Sequence, residues 1–261
     1  MFPTTLLIGC GRLGGALVRG WLSKGIDPAR LIVAESHPTP DADRARKAGA
    51  EVVDSASEAA ADTVVLAVKP KVWREAVEAL SGKPAGTLIS LMAGVRAADI
   101  AKALPGWRIV RVMPTTGIGV GRGAAAWWSQ ADGVADTVDA VLGSVSSLVR
   151  LEDEADIDIA TAISGSGQGY VFAFAKALAE AGERAGLAPD IATGLARATL
   201  MSGSAVMEAD DRDLETLIGE VASPGGTTQA GLDAMEQAGM PGAVNAAVAA
   251  ALAKARELAG G

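Results

Sequence analysis

Two stretches of this chain carry groups whose types and spacing could do chemistry. The first is Ser223-Pro224-Gly225-Gly226-Thr227-Thr228, inside the longer run from Val221 to Leu232. A proline and two glycines interrupt a strongly helical region, and the two threonines open the next helix. A helix start leaves backbone N–H groups without partners and carries the positive end of the macrodipole, so it can seat an anion. Gly225 and Gly226 have no Cβ to keep a ligand off the backbone, and Ser223, Thr227 and Thr228 add hydroxyls that donate or accept without titrating near pH 7. The competing reading is an ordinary N-capped helix after a Pro-Gly turn.

The second stretch is Gly9-Cys10-Gly11-Arg12-Leu13-Gly14, set between the apolar run Thr5 to Ile8 and a helical pattern through Trp21. Strand, Gly-x-Gly-x-x-Gly, helix is the order that lets a loop turn tightly and approach a pyrophosphate. Ile8, Gly9, Cys10, Gly11, Arg12, Leu13 and Gly14 are therefore expected to hold a dinucleotide, NADP(H) or NAD(H). Cys10 reads as a small filler, and as the only cysteine it excludes an intrachain disulfide. A second apolar run, Leu31 to Ala34, ends at Glu35, the position that binds a ribose 2′-OH in NAD-binding proteins. A solvated strand-end glutamate is the alternative. In the cofactor reading Glu35 would repel a 2′-phosphate, and Arg44 and Arg46 would offset that if the loop folds back.

Further candidates follow the next apolar runs. Thr63 to Val68 is read as a buried strand, and Val68-Lys69-Pro70 fall at the carboxyl edge of a parallel sheet, where ligands collect. A lone lysine there is also read as simply solvated. Thr87 to Leu91 ends in Met92-Ala93-Gly94, whose small residues leave room for a flat ring, so Ala93 is assigned to the cofactor. His37, the only histidine, lies beyond the second strand near an adenosine ribose and is a poor candidate for a catalytic acid. No metal is expected.

The elements that must position these groups change character along the chain. Arg108 to Val112, Ala124 to Trp128 and Ser147 to Leu151 read as further strands, with a helix from Asp132 to Leu142. Trp127 and Trp128 read as packing. From Ala155 onward no strand is predicted, and helices are expected over 157–163, 169–185, 189–207, 213–221, 227–237 and 241–258. Alternating strands and helices over residues 1–151 predict an α/β fold with a doubly wound, mostly parallel sheet. Residues 152–261, opened by Glu152-Asp153-Glu154, predict an all-helical domain. Several of those helices are apolar on more than one face, which predicts a homodimer through this half.

With 31 acidic against 23 basic residues the formal charge is −8, which argues against nucleic acid and anionic membrane surfaces as partners. The N-terminus shows no basic region or signal-type cleavage site, and the alanine-rich run Ala243 to Ala253 is broken by Asn245, so a cytoplasmic location is expected.

The residues resemble those of the pyrroline-5-carboxylate reductase family from end to end. The likeness rests on the Gly-x-Gly-x-x-Gly opening, Ala67-Val68-Lys69-Pro70, Ala93-Gly94-Val95, and Arg111-Val112-Met113-Pro114 with Thr116. It continues through Glu154, Asp158, Thr161-Ala162, Ser164-Gly165-Ser166-Gly167 and Tyr170, and closes on Ser223 to Thr228 with Gly231-Leu232. The chain departs from the family at Gln168-Gly169, where Pro-Ala is usual, and at Thr115-Thr116-Gly117, where Asn-Thr-Pro is usual. Asp54 or Ser55 takes the place of a cofactor-contacting asparagine.

The resemblance implies a Rossmann-like domain followed by an all-α dimerisation domain. It implies 1-pyrroline-5-carboxylate as substrate, L-proline as product, and a homodimer or an assembly of dimers. It also implies that N–H groups around Ser223, Gly225, Gly226, Thr227 and Thr228 hold the substrate carboxylate. Thr228 would hydrogen-bond the imine nitrogen, and Glu154 would line the same pocket. A β-hydroxyacid dehydrogenase has the same architecture and would need a lysine such as Lys176, but it has no use for the Ser223–Thr228 signature. Another NAD(P)-dependent imine reductase, or a non-catalytic NAD(P)-sensing protein, completes the alternatives.

Overall fold

The computed structural model describes residues 1–259; Gly260 and Gly261, the end of the expected helical domain, lie outside the described residues. Eight strands form one sheet: β1 Thr5–Ile8, β2 Leu31–Ala34, β3 Glu51–Val53, β4 Thr63–Leu66, β5 Thr87–Ser90, β6 Arg108–Pro114, β7 Gly123–Trp128 and β8 Ser146–Arg150. Their spatial order is β3-β2-β1-β4-β5-β6-β7-β8, and every neighbouring pair is parallel except β6 with β7. The central strands are apolar at almost every position because both faces are covered. Alternation then divides them: Leu7, Val33, Val65, Ile89 and Val110 enter one core, and Leu6, Ile8, Ile32, Val64, Leu66 and Leu88 the other.

The helices linking these strands are α1 Arg12–Ser23, α2 Pro40–Ala48, α3 Trp73–Glu78, α4 Ala97–Ala103 and α5 Ala135–Val138, with α6 Asp156–Ala160 after β8. The expected helix 132–142 is shorter than predicted, because α5 passes into a π turn at Asp139–Gly143. In that turn the Val141 carbonyl accepts from the indole N–H of the fully buried Trp21 at 2.7 Å. The expected helix 157–163 likewise gives way to a π turn at Thr161–Gly165. Thr161 and Ser164 hydroxyls there donate to the carbonyls of Ile157 and Ala160, each four residues back.

After that come α7 Gly167–Arg184, α8 Pro189–Ala209, α9 Leu214–Val221, α10 Thr227–Gln237 and α11 Met240–Ala259, with no strand among the described residues. The described residues divide into two compact units, residues 1–165 with those from 251 onward, and residues 166–250. The first unit contains the whole sheet and its two cores. In the second, α7 and α8 form a packed antiparallel pair, and the buried apolar side chains are only Ala179, Ala192 and Ala196. Phe172, Leu195, Met201, Leu214 and Val221 are each at least half exposed. A helical layer with so little of its apolar surface covered by its own chain is built to be covered by another.

Candidate active site

At the carboxyl edge of β1, β2 and β4 the first unit opens into a groove of about 700 Å³. Ile8, Gly9 and Gly11 line it together with Glu35, Ser36, His37, Asp54, Ser55, Val68 and Lys69, so six of the predicted cofactor residues share one surface. The three motif glycines do different things. Gly9 has φ +89°, and a Cβ there would meet the Ala67 carbonyl and Val68 Cγ1, each at 2.9 Å. At Gly14 a Cβ would overlap the Gly9 carbonyl oxygen, so this glycine lets α1 close onto the loop. Gly11 is the reverse: its Cβ would meet nothing within 4 Å, which leaves open space in front of the loop. No side chain caps α1, whose first N–H groups therefore face an approaching anion unpaired.

Glu35 is anchored to this loop. One carboxylate oxygen accepts from the Cys10 N–H at 2.7 Å and the other from the His37 N–H at 3.1 Å. The residue stays half-buried on the groove wall. Arg44 pairs with Asp41, and Arg46 with Asp43 at 2.8 Å, both on their own helix α2. Neither arginine lines the groove, and the folded-back loop that would bring them to Glu35 is not formed. Burial pushes the Cys10 thiol up to about 11, so at neutral pH it is a protonated filler.

Cys10, Arg12, Leu13, Gly14, Pro70 and Ala93 are not part of the groove lining. Cys10 and Gly14 are buried beneath the loop, Arg12 is exposed at the start of α1, and Pro70 opens a 3-10 turn after Lys69. Ala93 is exposed beyond β5. The groove also uses Thr39, Val72, Glu75, Ala76 and Ala79, which sequence reasoning missed. Small residues three apart, Ala76 in α3 and Ala79 capping its end, were the available signal. Among the departures, Thr115 closes the start of the β6–β7 connection: its N–H donates to the Ala124 carbonyl at 2.8 Å, and its hydroxyl accepts from the Ala124 N–H at 3.0 Å.

Glu154 lies at a separate cavity of about 270 Å³, with Gly94, Arg96, Arg111, Asp153, Ala155 and Asp158. Its carboxylate accepts from Arg111 Nη1 at 3.0 Å and from the Ala97 N–H at 2.7 Å. Sequence reasoning gave Arg111 no task, although a charged residue between Val110 and Val112 in a buried strand was a visible signal.

In the second unit Ser223 to Gly226 form a turn closed by the Gly226 N–H donating to the Ser223 carbonyl at 2.9 Å. Pro224 and Gly225, the latter with φ +73°, sit where a type II turn requires them. Gly226 is the N-cap of α10, and no side chain caps that helix. The first bond back to the cap runs from the Ala230 N–H to the Gly226 carbonyl at 3.1 Å, so the N–H groups of Thr227, Thr228 and Gln229 lie ahead of it. Thr227 and Thr228 are exposed. Among the described residues no cluster of His, Cys, Asp and Glu is placed to hold a metal ion, and no helix is long and apolar enough to cross a membrane.

A glycine loop opening on a groove of this size at the carboxyl edge of a mostly parallel sheet is how a nicotinamide dinucleotide is held. These features define a Rossmann-type dinucleotide-binding protein. A family model described as NADP oxidoreductase, coenzyme F420-dependent, matches residues 5–94, and one described as pyrroline-5-carboxylate reductase dimerisation matches residues 154–258. The pyrroline-5-carboxylate reductase of Pisum sativum is 31% identical over 96% of this chain and 94% of its own. The structure of a pyrroline-5-carboxylate reductase from Coxiella burnetii superposes with TM-score 0.92 at 29% identity, covering 99% of both chains. One from Plasmodium falciparum with NADP bound gives TM-score 0.80 at 27% identity over 98% of both. The chain belongs to the pyrroline-5-carboxylate reductase family.

Proposed function

We propose that the chain, as a homodimer, reduces 1-pyrroline-5-carboxylate to L-proline with NADPH or NADH. End-to-end family membership carries this reading, and the uncapped start of α10 fits it. The N–H groups at Thr227 and Thr228, with the turn Ser223-Pro224-Gly225-Gly226, hold the substrate carboxylate as a helix start holds any anion. The groove at the glycine loop holds the cofactor: α1 faces its pyrophosphate, Glu35 its adenosine ribose, and Val68, Lys69, Pro70 and Ala93 the path toward the nicotinamide. The bound cofactor supplies the hydride that adds to the imine carbon. Thr228 presents its hydroxyl to the ring nitrogen, where basicity develops, and helps a proton arrive there through water. No covalent bond to the protein is needed. The chain's main contribution is orientation, since a fixed carboxylate aims one carbon at one donor.

Residues 1–151 form the dinucleotide domain in this proposal and 152–261 the substrate and dimerisation domain, with β8 ending at Arg150 just before the division. The exposed apolar side chains of α7, α8 and α9 support assembly with a second copy, and dimers of that kind can associate further. Light scattering at assay concentration should give twice the chain mass or a multiple of it; an active, monodisperse monomer would sink the assembly claim. The activity is tested in reverse at high pH. Proline-dependent reduction of NAD(P)+ is expected, whereas oxidation of a β-hydroxyacid instead, or no turnover with either, would select one of the other readings.

A further inference from the structure

The Glu154 carboxylate is engaged within its own fold unit by two buried partners. Arg111 is 5% exposed and Ala97 is 7% exposed. Arg111 Nε and Nη2 make no hydrogen bond, so the contact from Nη1 to Glu154 is what compensates this buried charge. Ala97 is the first residue of α4, and its N–H has no acceptor inside the helix. Glu154 supplies that acceptor from 57 residues further along the chain.

Between β5 and α4 the chain runs Leu91 to Arg96 and carries Ala93 at its exposed tip, followed by Gly94 with φ +74°. One end is fixed by the Leu91 N–H donating to the Leu66 carbonyl at 3.0 Å. The other end is fixed by Glu154 at Ala97. The tip is therefore strung between two anchors, and one of them is a side chain. Beside that anchor, the small cavity carries Asp153, Glu154 and Asp158 against Arg96 and Arg111, an acidic balance that disfavours an anionic substrate there.

We propose that Glu154 is a positioning residue: it clips the β5–α4 segment to β6 so that Ala93 is held for the nicotinamide, and it does not itself touch the imine. This rests on the proposed function, in which Ala93 faces the cofactor. Removing the clip frees the tip and weakens cofactor binding before any chemistry.

The test measures cofactor dissociation constants without substrate, from the fluorescence of the reduced nicotinamide, alongside KM for the imine at saturating cofactor. Glu154→Ala should weaken the cofactor about five- to tenfold, as loss of one helix-start hydrogen bond does, and move the imine KM less than about twofold. Glu154→Gln keeps an acceptor for the Ala97 N–H and should recover most of the cofactor affinity. If both variants instead raise the imine KM about tenfold and leave cofactor binding unchanged, the carboxylate contacts substrate and the proposal falls. Should Glu154→Ala fail to fold because the Arg111 charge is left unpaired, the pair Arg111→Met with Glu154→Ala removes that charge and the clip together. Cofactor affinity weakened about five- to tenfold in that pair, with the imine KM moved less than about twofold, supports the clip, and near wild-type affinity overturns it. A wild type that binds cofactor without reducing the imine would overturn the proposed function, while the dissociation constants would still decide this inference.

Discussion

Thr228→Ala should lower kcat/KM for 1-pyrroline-5-carboxylate by about 10²-fold, the low end of what a positioned proton-transfer partner contributes, because water can substitute for the lost hydroxyl. Thr228 is the second residue of α10, and the substrate carboxylate is proposed to rest on N–H groups of that same first turn. A ring held there by its carboxylate brings its nitrogen within reach of a hydroxyl on the same turn. Thr228→Ser, which keeps the hydroxyl and loses only a methyl, should retain most of the activity. The purely structural competitor has Thr228 capping its helix, where alanine costs about 1 kcal/mol of stability and leaves turnover alone. In the structure Gly226 is the N-cap and no side chain caps α10, so alanine at 228 should leave the melting temperature nearly unchanged. A lowered melting temperature with unchanged kcat/KM would assign Thr228 to folding.

Glu35→Ser should shift the ratio of kcat/KM for NADPH over NADH upward by about tenfold or more. A 2′-phosphate carries nearly two negative charges, and removing a carboxylate from beside it is worth about 1.4 kcal/mol for each factor of ten. The wild type should favour NADH by a small factor. The two arginines that would offset the carboxylate are tied to Asp41 and Asp43, and the cation on the groove wall is Lys69. The substitution also releases the Cys10 N–H, so absolute efficiency should fall with NADH while it rises with NADPH. A wild type that already strongly prefers NADPH, with a ratio unmoved by the substitution, would show that Glu35 does not read the ribose.

The sheet was legible because its central strands are buried on both faces and read as unbroken apolar runs. Their ends were not. Thr63 to Val68 reads as one strand, yet β4 stops at Leu66, where only the Ala67 N–H to Ile8 carbonyl bond follows before the chain turns. β6 runs past Val112 to Pro114, since a proline is tolerated where a strand ends, and there Pro114 pairs with Ala125. The two helices cut short by π turns were misread for one reason. An indole N–H at Val141 and two hydroxyls at Ile157 and Ala160 take carbonyls that hydrophobic periodicity assigns to the helix.

In the site, the glycine loop and the turn before α10 were visible because glycine and proline spacing follows from backbone geometry. The contact of Glu35 with the Cys10 N–H, and the Arg111–Glu154–Ala97 clip, were not. Each joins residues 25 or more positions apart in the sequence, and only folding brings them together.

The most direct test of the account offers the wild-type enzyme and reduced cofactor two substrates: 1-pyrroline-5-carboxylate and the same five-membered imine without its carboxylate. The account predicts cofactor oxidation equimolar with L-proline formed from the first. The second should react at a kcat/KM lower by about 10- to 100-fold, the value of charge-assisted hydrogen bonds from a helix start to the missing group. Equal turnover of both imines, or none with either, would contradict it.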